Sequence, residues 1–268
     1  MKALTLHILH LAKIATLPCA LVVGPVAAAD LSTREVTETL FQSKRGAPID
    51  FSGKDLSFLD LSGLDFKGAK LASVNLYGAD LTDANLTGSD LSGARLDRAT
   101  VVRADFSGAN LEGASLLGPT AYSDVTIDQG DAPRFIGANL RNLRIAGRLD
   151  GSKFRGADMT GTVIGQQRAV WGSYKPRASM NGADFTGAML VNIDLSETDL
   201  LFAQFVSADL SRANLKDADL SMADLTHANL AQADLSQANL DGAKLSDAKG
   251  LEMATGLASV QNLDKAIR

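Results

Sequence analysis

Apolar residues recur at every fifth position along most of this chain, usually with alanine two places earlier. From Ala208 the chain reads ADLSR ANLKD ADLSM ADLTH ANLAQ ADLSQ ANLDG AKLSD without a slip. A period of five matches neither a helix, at 3.6 residues per turn, nor a flat strand, at two. Strict short-period self-similarity instead predicts a solenoid whose repeats pack only on their neighbours. Thirty-four apolar centres fall into three blocks. The first runs in fives from Phe51 to Leu116. The second takes Phe135, Leu140 and Ile145, then slips by one residue to Leu149, Phe154, Met159 and Ile164. The third runs from Phe185, or from Met180, to Leu245.

The pattern divides the chain further. Residues 30–48 predict a cap helix: Ser32-Thr33-Arg34-Glu35 offers a capping box, and Val36, Leu40 and Phe41 share a helical face. Repeat block one is assigned to 49–118, block two to 135–164 and block three to 179–250. Loop excursions occupy 119–134 and 165–178, and residues 251–268 are expected to form a helix over the last coil. The prolines after residue 29, Pro48, Pro119, Pro133 and Pro176, all stand outside the clean blocks. That placement suits repeats that must donate backbone N–H groups to a ladder.

The A-(D/N)-L-x-x pattern resembles the pentapeptide-repeat family. The resemblance implies an all-β fold: a right-handed quadrilateral parallel β-helix with four repeats per coil, closed here by short N- and C-terminal helical caps. Leu or Phe would then fill the axis, with a small Ala beside it as close packing demands. Asp, Asn, Ser, Thr and Gly would face outward and build the turns. Thirty-four repeats give eight and a half coils, a rod roughly 40 Å long at the usual strand spacing. The slip at Leu149 predicts a one-residue deletion at a corner. End-to-end dimers occur in the family, so a homodimer stays open.

The N-terminus changes the expected compartment. Lys2 and Lys13, an apolar stretch from Ile14 to Val26 and Ala27-Ala28-Ala29 resemble a secretory signal peptide cleaved after Ala29. The stretch is too short to span a bilayer, for which about 20 apolar residues are needed, so no stable membrane insertion is expected after cleavage. The residues before Cys19 make a poor lipobox, and no twin arginine is present. The expected location is periplasmic or extracellular. The mature chain would hold no cysteine and one histidine, His227, which leaves disulfide, thiol and histidine chemistry without reagents. It would carry 24 Lys and Arg against 31 Asp and Glu, net −7, a poor match for nucleic acid phosphates.

Candidate chemistry is sparse. No catalytic residue, cofactor or metal is expected; no nucleophile–base motif or phosphate loop stands out, and carboxylate pairs recur everywhere without one being special. Asp124, Asp128 and Asp131 beside Gly130 offer oxygen ligands but lack the order of a calcium loop, so a solvated loop is expected. Residues twenty apart should stack, placing Asp194, Asn214 and Asp234 in one ladder and Asp199, Asp219 and Asn239 in another. Asn between the carboxylates would limit their repulsion.

The two excursions hold the best candidate contact patch: Tyr122 in the first, with Arg168, Trp171, Tyr174, Lys175 and Arg177 in the second. Trp, Tyr and Arg are the residue types enriched at binding hot spots. Seven repeats separate the excursions, which puts them on adjoining faces and roughly 8 Å apart along the rod. The expected function is a non-catalytic exported scaffold presenting a rigid rod to an unidentified protein partner. The alternatives are a cytoplasmic DNA mimic that binds DNA gyrase, as some relatives do, and a ligand-binding or enzymatic site in the excursions.

Overall fold

The computed structural model describes residues 29–43, 49–123, 129–165 and 177–267. Across these the chain winds as a four-sided coil of parallel rungs. Each repeat spends one short bridge on a face and turns a corner before the next. The residue preceding each apolar centre supplies the bridge, and residues twenty apart pair: Asp50 with Lys70, Asp55 with Asn75, Asp60 with Asp80, Asp65 with Asn85. These four pairs start faces 1 to 4. The expected ladders form on faces 2 and 3, where Asp194 pairs with Asn214 and Asn214 with Asp234, and Asp199 with Asp219 and Asp219 with Asn239.

Packing explains the period. The centres Leu56, Leu61, Leu81, Leu200, Leu215 and Leu225 are fully buried, as are Ala79, Ala203 and Ala228 two places before a centre. A large residue at the axis leaves room beside it only for a small one. Corners turn through the left-handed region, where, among the described residues, glycine or another residue with positive φ sits two places after each centre. Inside face 4, Phe106, Phe135, Phe154, Phe185 and Phe205 stack with centroids 4.9–5.0 Å apart and planes within 6°.

The excursions and the slip are absorbed at corners. Thr120 and Ala121 still belong to the coil, since Thr120 bridges Thr100 and Ala121 is buried. The first excursion therefore begins after them, and the chain rejoins on face 4 at Arg134, paired with Asp105. The next coil is one residue short: Arg134 pairs with Lys153, and Arg144 with Val163, nineteen residues on. The missing residue falls at Gly147, between strands β1 (Ser115–Leu117), β2 (Arg144–Ala146) and β3 (Val163–Ile164) on face 2 and the bridge of Arg148 on face 3. Arg148 then pairs with Ser179, thirty-one residues on, across the second excursion.

The two ends differ. Helix α1 (Thr33–Ser43) closes one end, with Val36 and Leu40 buried against the first coil. Its capping box forms: the Ser32 N–H donates to Glu35 Oε2 at 2.7 Å, and the Glu35 N–H to Ser32 Oγ at 3.3 Å. Phe41, expected on the same face, is instead 60% exposed. The other end carries no α-helix. Residues 251–268 were expected to form one, but the described part makes three 3₁₀ turns, Leu251–Met253, Leu257–Ser259 and Leu263–Lys265. These alternate with bridges at Thr255, Gln261 and Ile267, so the tail is one more coil with a period of six. Gly250, Gly256 and Asn262 recur at that interval with positive φ, a stop that a continuous helix cannot accommodate. Among the described residues no helix is long and apolar enough to cross a membrane.

Candidate functional site

Outward carboxylates do mostly structural work. Most bridge Asp residues accept the N–H two residues on, as in Asp80 to Thr82 at 2.9 Å and Asp224 to Thr226 at 3.0 Å. Such Asx turns hold the corner. The Ser62 hydroxyl and then its N–H hold Asp60 below the usual carboxylate range, and the Ser236 hydroxyl does the same for Asp234. Between coils, Asn85 donates to Asp65 at 2.9 Å, Asn214 to Asp194 at 3.0 Å and Asn229 to Asp209 at 2.9 Å. An amide between two carboxylates turns repulsion into a hydrogen bond.

The two excursions leave the rod at opposite edges of face 3. The first departs the corner between faces 3 and 4, after Ala121; the second departs the corner between faces 2 and 3, after Gly165. Leu117 pairs with Ala146 and Arg148 with Ser179, so their roots lie two rungs apart.

Tyr122 is half-buried against the core. Its hydroxyl donates to the Asp150 carbonyl at 2.8 Å, and the Arg148 guanidinium lies 5.8 Å from its ring centre. Burial, then the Asp150 charge, pushes the phenol well above its ordinary pKa. Asp150 is buried and tightly held: it accepts from the Ser179 hydroxyl, from the Asn181 N–H at 2.8 Å and from Arg148 at 3.2 Å. Arg177, the first described residue at the far end of the second excursion, pairs with Asp199 at 2.8 Å and donates to the Asp217 carbonyl at 2.6 Å. Arg168, Trp171, Tyr174 and Lys175 lie outside the described residues, as do Asp124 and Asp128. Tyr122 and Arg177 therefore face the same side of the rod, but each is engaged by the coil.

One strap was not read from the sequence. Arg103 forks onto Asp83 at 2.7 and 2.8 Å and reaches Asp131 at 2.6 Å; Asp131 also accepts the Ser123 N–H at 3.0 Å. This network ties both roots of the first excursion to the coil below. The Arg103 pairing keeps Asp83 below its usual range, and the Ser123 hydroxyl does so for Asp131. Asp131 is thus committed to Arg103 and Ser123, and among the described residues no cluster of three or more His, Cys, Asp or Glu could hold a metal ion. Arg103 occupies a corner that most repeats fill with glycine or another polar residue; only its pairing with residues 20 and 28 away reveals its role.

Another feature runs against the pattern. Ser152 stands where Ala is the default. It is fully buried, and its hydroxyl has no partner among the described residues. Nothing in the structure explains it.

Residues 49–88, 89–118, 178–217 and 218–249 match the family model for pentapeptide repeats, more than half of the chain. The chain belongs to the pentapeptide-repeat family. Among solved pentapeptide-repeat structures, HetL of Nostoc sp. strain PCC 7120, involved in heterocyst differentiation regulation, is 24% identical. That comparison covers 85% of this chain and 98% of HetL, with a TM-score of 0.40. QnrB1, a plasmid-mediated fluoroquinolone resistance protein, is 18% identical over 75% of this chain and 93% of its own, with a TM-score of 0.45. A pentapeptide-repeat protein of the Arabidopsis thaliana thylakoid lumen is 31% identical over 45% of this chain and 71% of its own, with a TM-score of 0.27. No curated protein matches the chain significantly.

Proposed function

We propose that this protein is a non-catalytic, exported interaction scaffold: a rigid right-handed rod that presents two non-repeat excursions from one face to a protein partner. The observation that carries this reading is the rooting of both excursions at the edges of face 3, two rungs apart. A stiff framework fixes the spacing of two loops, and loops on a rigid scaffold are where binding residues concentrate. The straps at Arg103 and Arg177 support it, because they restrict how the excursions leave the coil. Export is supported by the signal-like residues 1–29.

Two experiments test the reading. Cell fractionation with N-terminal sequencing should recover a chain starting at Asp30 outside the cytoplasm; an intact Met1 in the cytosol would sink export and make DNA gyrase binding the next assay. Trp171→Ala with Tyr174→Ala should release a partner cross-linked to the wild-type chain. Retention of every such partner would remove the excursions from the interface.

A further inference from the structure

Corner residues with positive φ are almost uniformly polar or glycine. Of the eighteen non-glycine residues in this conformation among the described residues, fifteen are polar or charged; the exceptions are Phe58, Phe202 and Met222. Large apolar side chains rarely adopt it, and an observed outlier is a place to look for function. Phe202 and Met222 stand twenty residues apart, stacked in one column at the corner of faces 3 and 4. They are 55% and 49% exposed. Met222 lies across Gly242, where an added Cβ would meet its sulfur at 2.6 Å. A surface depression of about 400 Å³ runs up to Phe202 and Leu201 from Arg148, Asp150 and Asn181.

Acidic side chains outnumber basic ones around this edge, where Arg148 borders the depression and Lys244 pairs with Asp224. Block three, residues 179–250, holds eleven Asp and Glu against four Lys and Arg. That excess exceeds the net charge of the whole chain, −5. Asp199 and Asp219 form adjacent rungs of face 3 with no Asn between them, and Asp217 and Asp241 lie beside them. Arg177 pairs with Asp199 and reaches the Asp217 carbonyl, Lys265 pairs with Asp241 and Lys244 with Asp224, while the Asp217 and Asp219 carboxylates have no cation partner among the described residues. An apolar ridge set in an acidic surround selects a basic occupant.

We propose that the Phe202–Met222 edge docks a basic protein segment, seating an apolar side chain against Phe202 and Met222 while its Lys or Arg residues face Asp217 and Asp219. The proposal rests on the scaffold reading above and supplies the chemistry of its partner. Its test uses the full chain and a labelled Lys-Arg-Leu-Phe-Arg-Lys peptide, read by fluorescence anisotropy. Gln is the replacement at 202 and 222, because Gln232 and Gln237 already occupy such corners at φ 61°. The peptide should bind saturably, weaken about tenfold or more against Phe202→Gln with Met222→Gln, and be unaffected by Phe58→Gln. Equal binding to the doubly substituted chain, or of a peptide with Glu and Asp flanks, would overturn the proposal. So would a wild-type dimer in sedimentation that the double substitution dissociates, since a second copy would then cover the edge. A photo-cross-linker at position 202 separates the two readings. A partner captured from position 174 and never from 202 leaves the scaffold standing and removes this edge.

Discussion

Block three and the middle of the rod solve the same packing problem under different constraints. From Met180 to Leu245 each repeat has five residues, and each rung as far as Asn229 pairs twenty residues on. Between Arg134 and Ile164 the chain loses one residue, and an excursion stands at each end. Face 4 nevertheless keeps its steps of 4.9–5.0 Å through Phe106, Phe135, Phe154, Phe185 and Phe205. The difference teaches that the buried column sets the pitch and the corners absorb the length. Stacked rings bury large areas and add pair energy beyond that burial, which suits them to the stretch where sequence periodicity fails.

The sharpest way to break this comparison is to remove a ring. Phe154→Ala should destabilise by about 3–5 kcal/mol, because it opens a cavity between two stacked neighbours. Leu225→Ala in the regular block should cost about 2–5 kcal/mol and leave the middle rungs protected. Denaturant unfolding with hydrogen exchange checks both; equal loss of protection in the two regions would refute the special role of the column. Arg103→Met comes next. It leaves Asp131 without its cation and should lower the melting temperature only modestly, since Arg103 is 41% exposed and its pairs are partly screened. Its signature is faster amide exchange confined to residues 120–134.

Two smaller effects sharpen the contrast. Ser152→Ala should stabilise by about 1 kcal/mol, because it removes a buried hydroxyl without a partner and restores the residue that the repeat prefers. A lower melting temperature for that variant would count against the packing argument. Acid should act mainly through the Asx turns. The carboxylates of Asp60 and Asp234 have folded pKa values below their unfolded ones, so they contribute stability fully above about pH 4 and lose it as pH falls through the lower folded values. Melting temperature should therefore be flat from neutral pH to about 5 and fall below about 4. A melting temperature that rises on acidification would contradict this assignment.

Much of the fold was legible because one signal repeats. The apolar centres, their small neighbours and the Asp–Asn ladders follow from a period of five combined with the family resemblance, and even the one-residue slip at Leu149 showed in the count. The tail failed for a physical reason. Leu251, Leu257, Val260 and Leu263 fit a helical face, but Gly250, Gly256 and Asn262 fix left-handed corners every six residues, and that spacing was the stronger signal. Phe41 was misplaced because a one-turn helical face cannot say how wide the first coil is. At the candidate site, aromatic and basic residues marked the excursions, whereas Arg103, Asp83 and Asp150 act through contacts 20 to 31 residues away that no local pattern displays. Phe202 and Met222 were hidden by the opposite effect: in an apolar-rich repeat, two more apolar letters do not stand out until their corner is known to face water.

The phenylalanine column has a consequence for how such a chain can change. Sequence separations of 29, 19, 31 and 20 residues all translate into the same single step along the axis. Position in this protein is counted in coils, not in residues. Segments can therefore be added or trimmed at a corner without renumbering anything that lies beyond it. That leaves the lineage free to rewrite its outward loops while its interior stays in register.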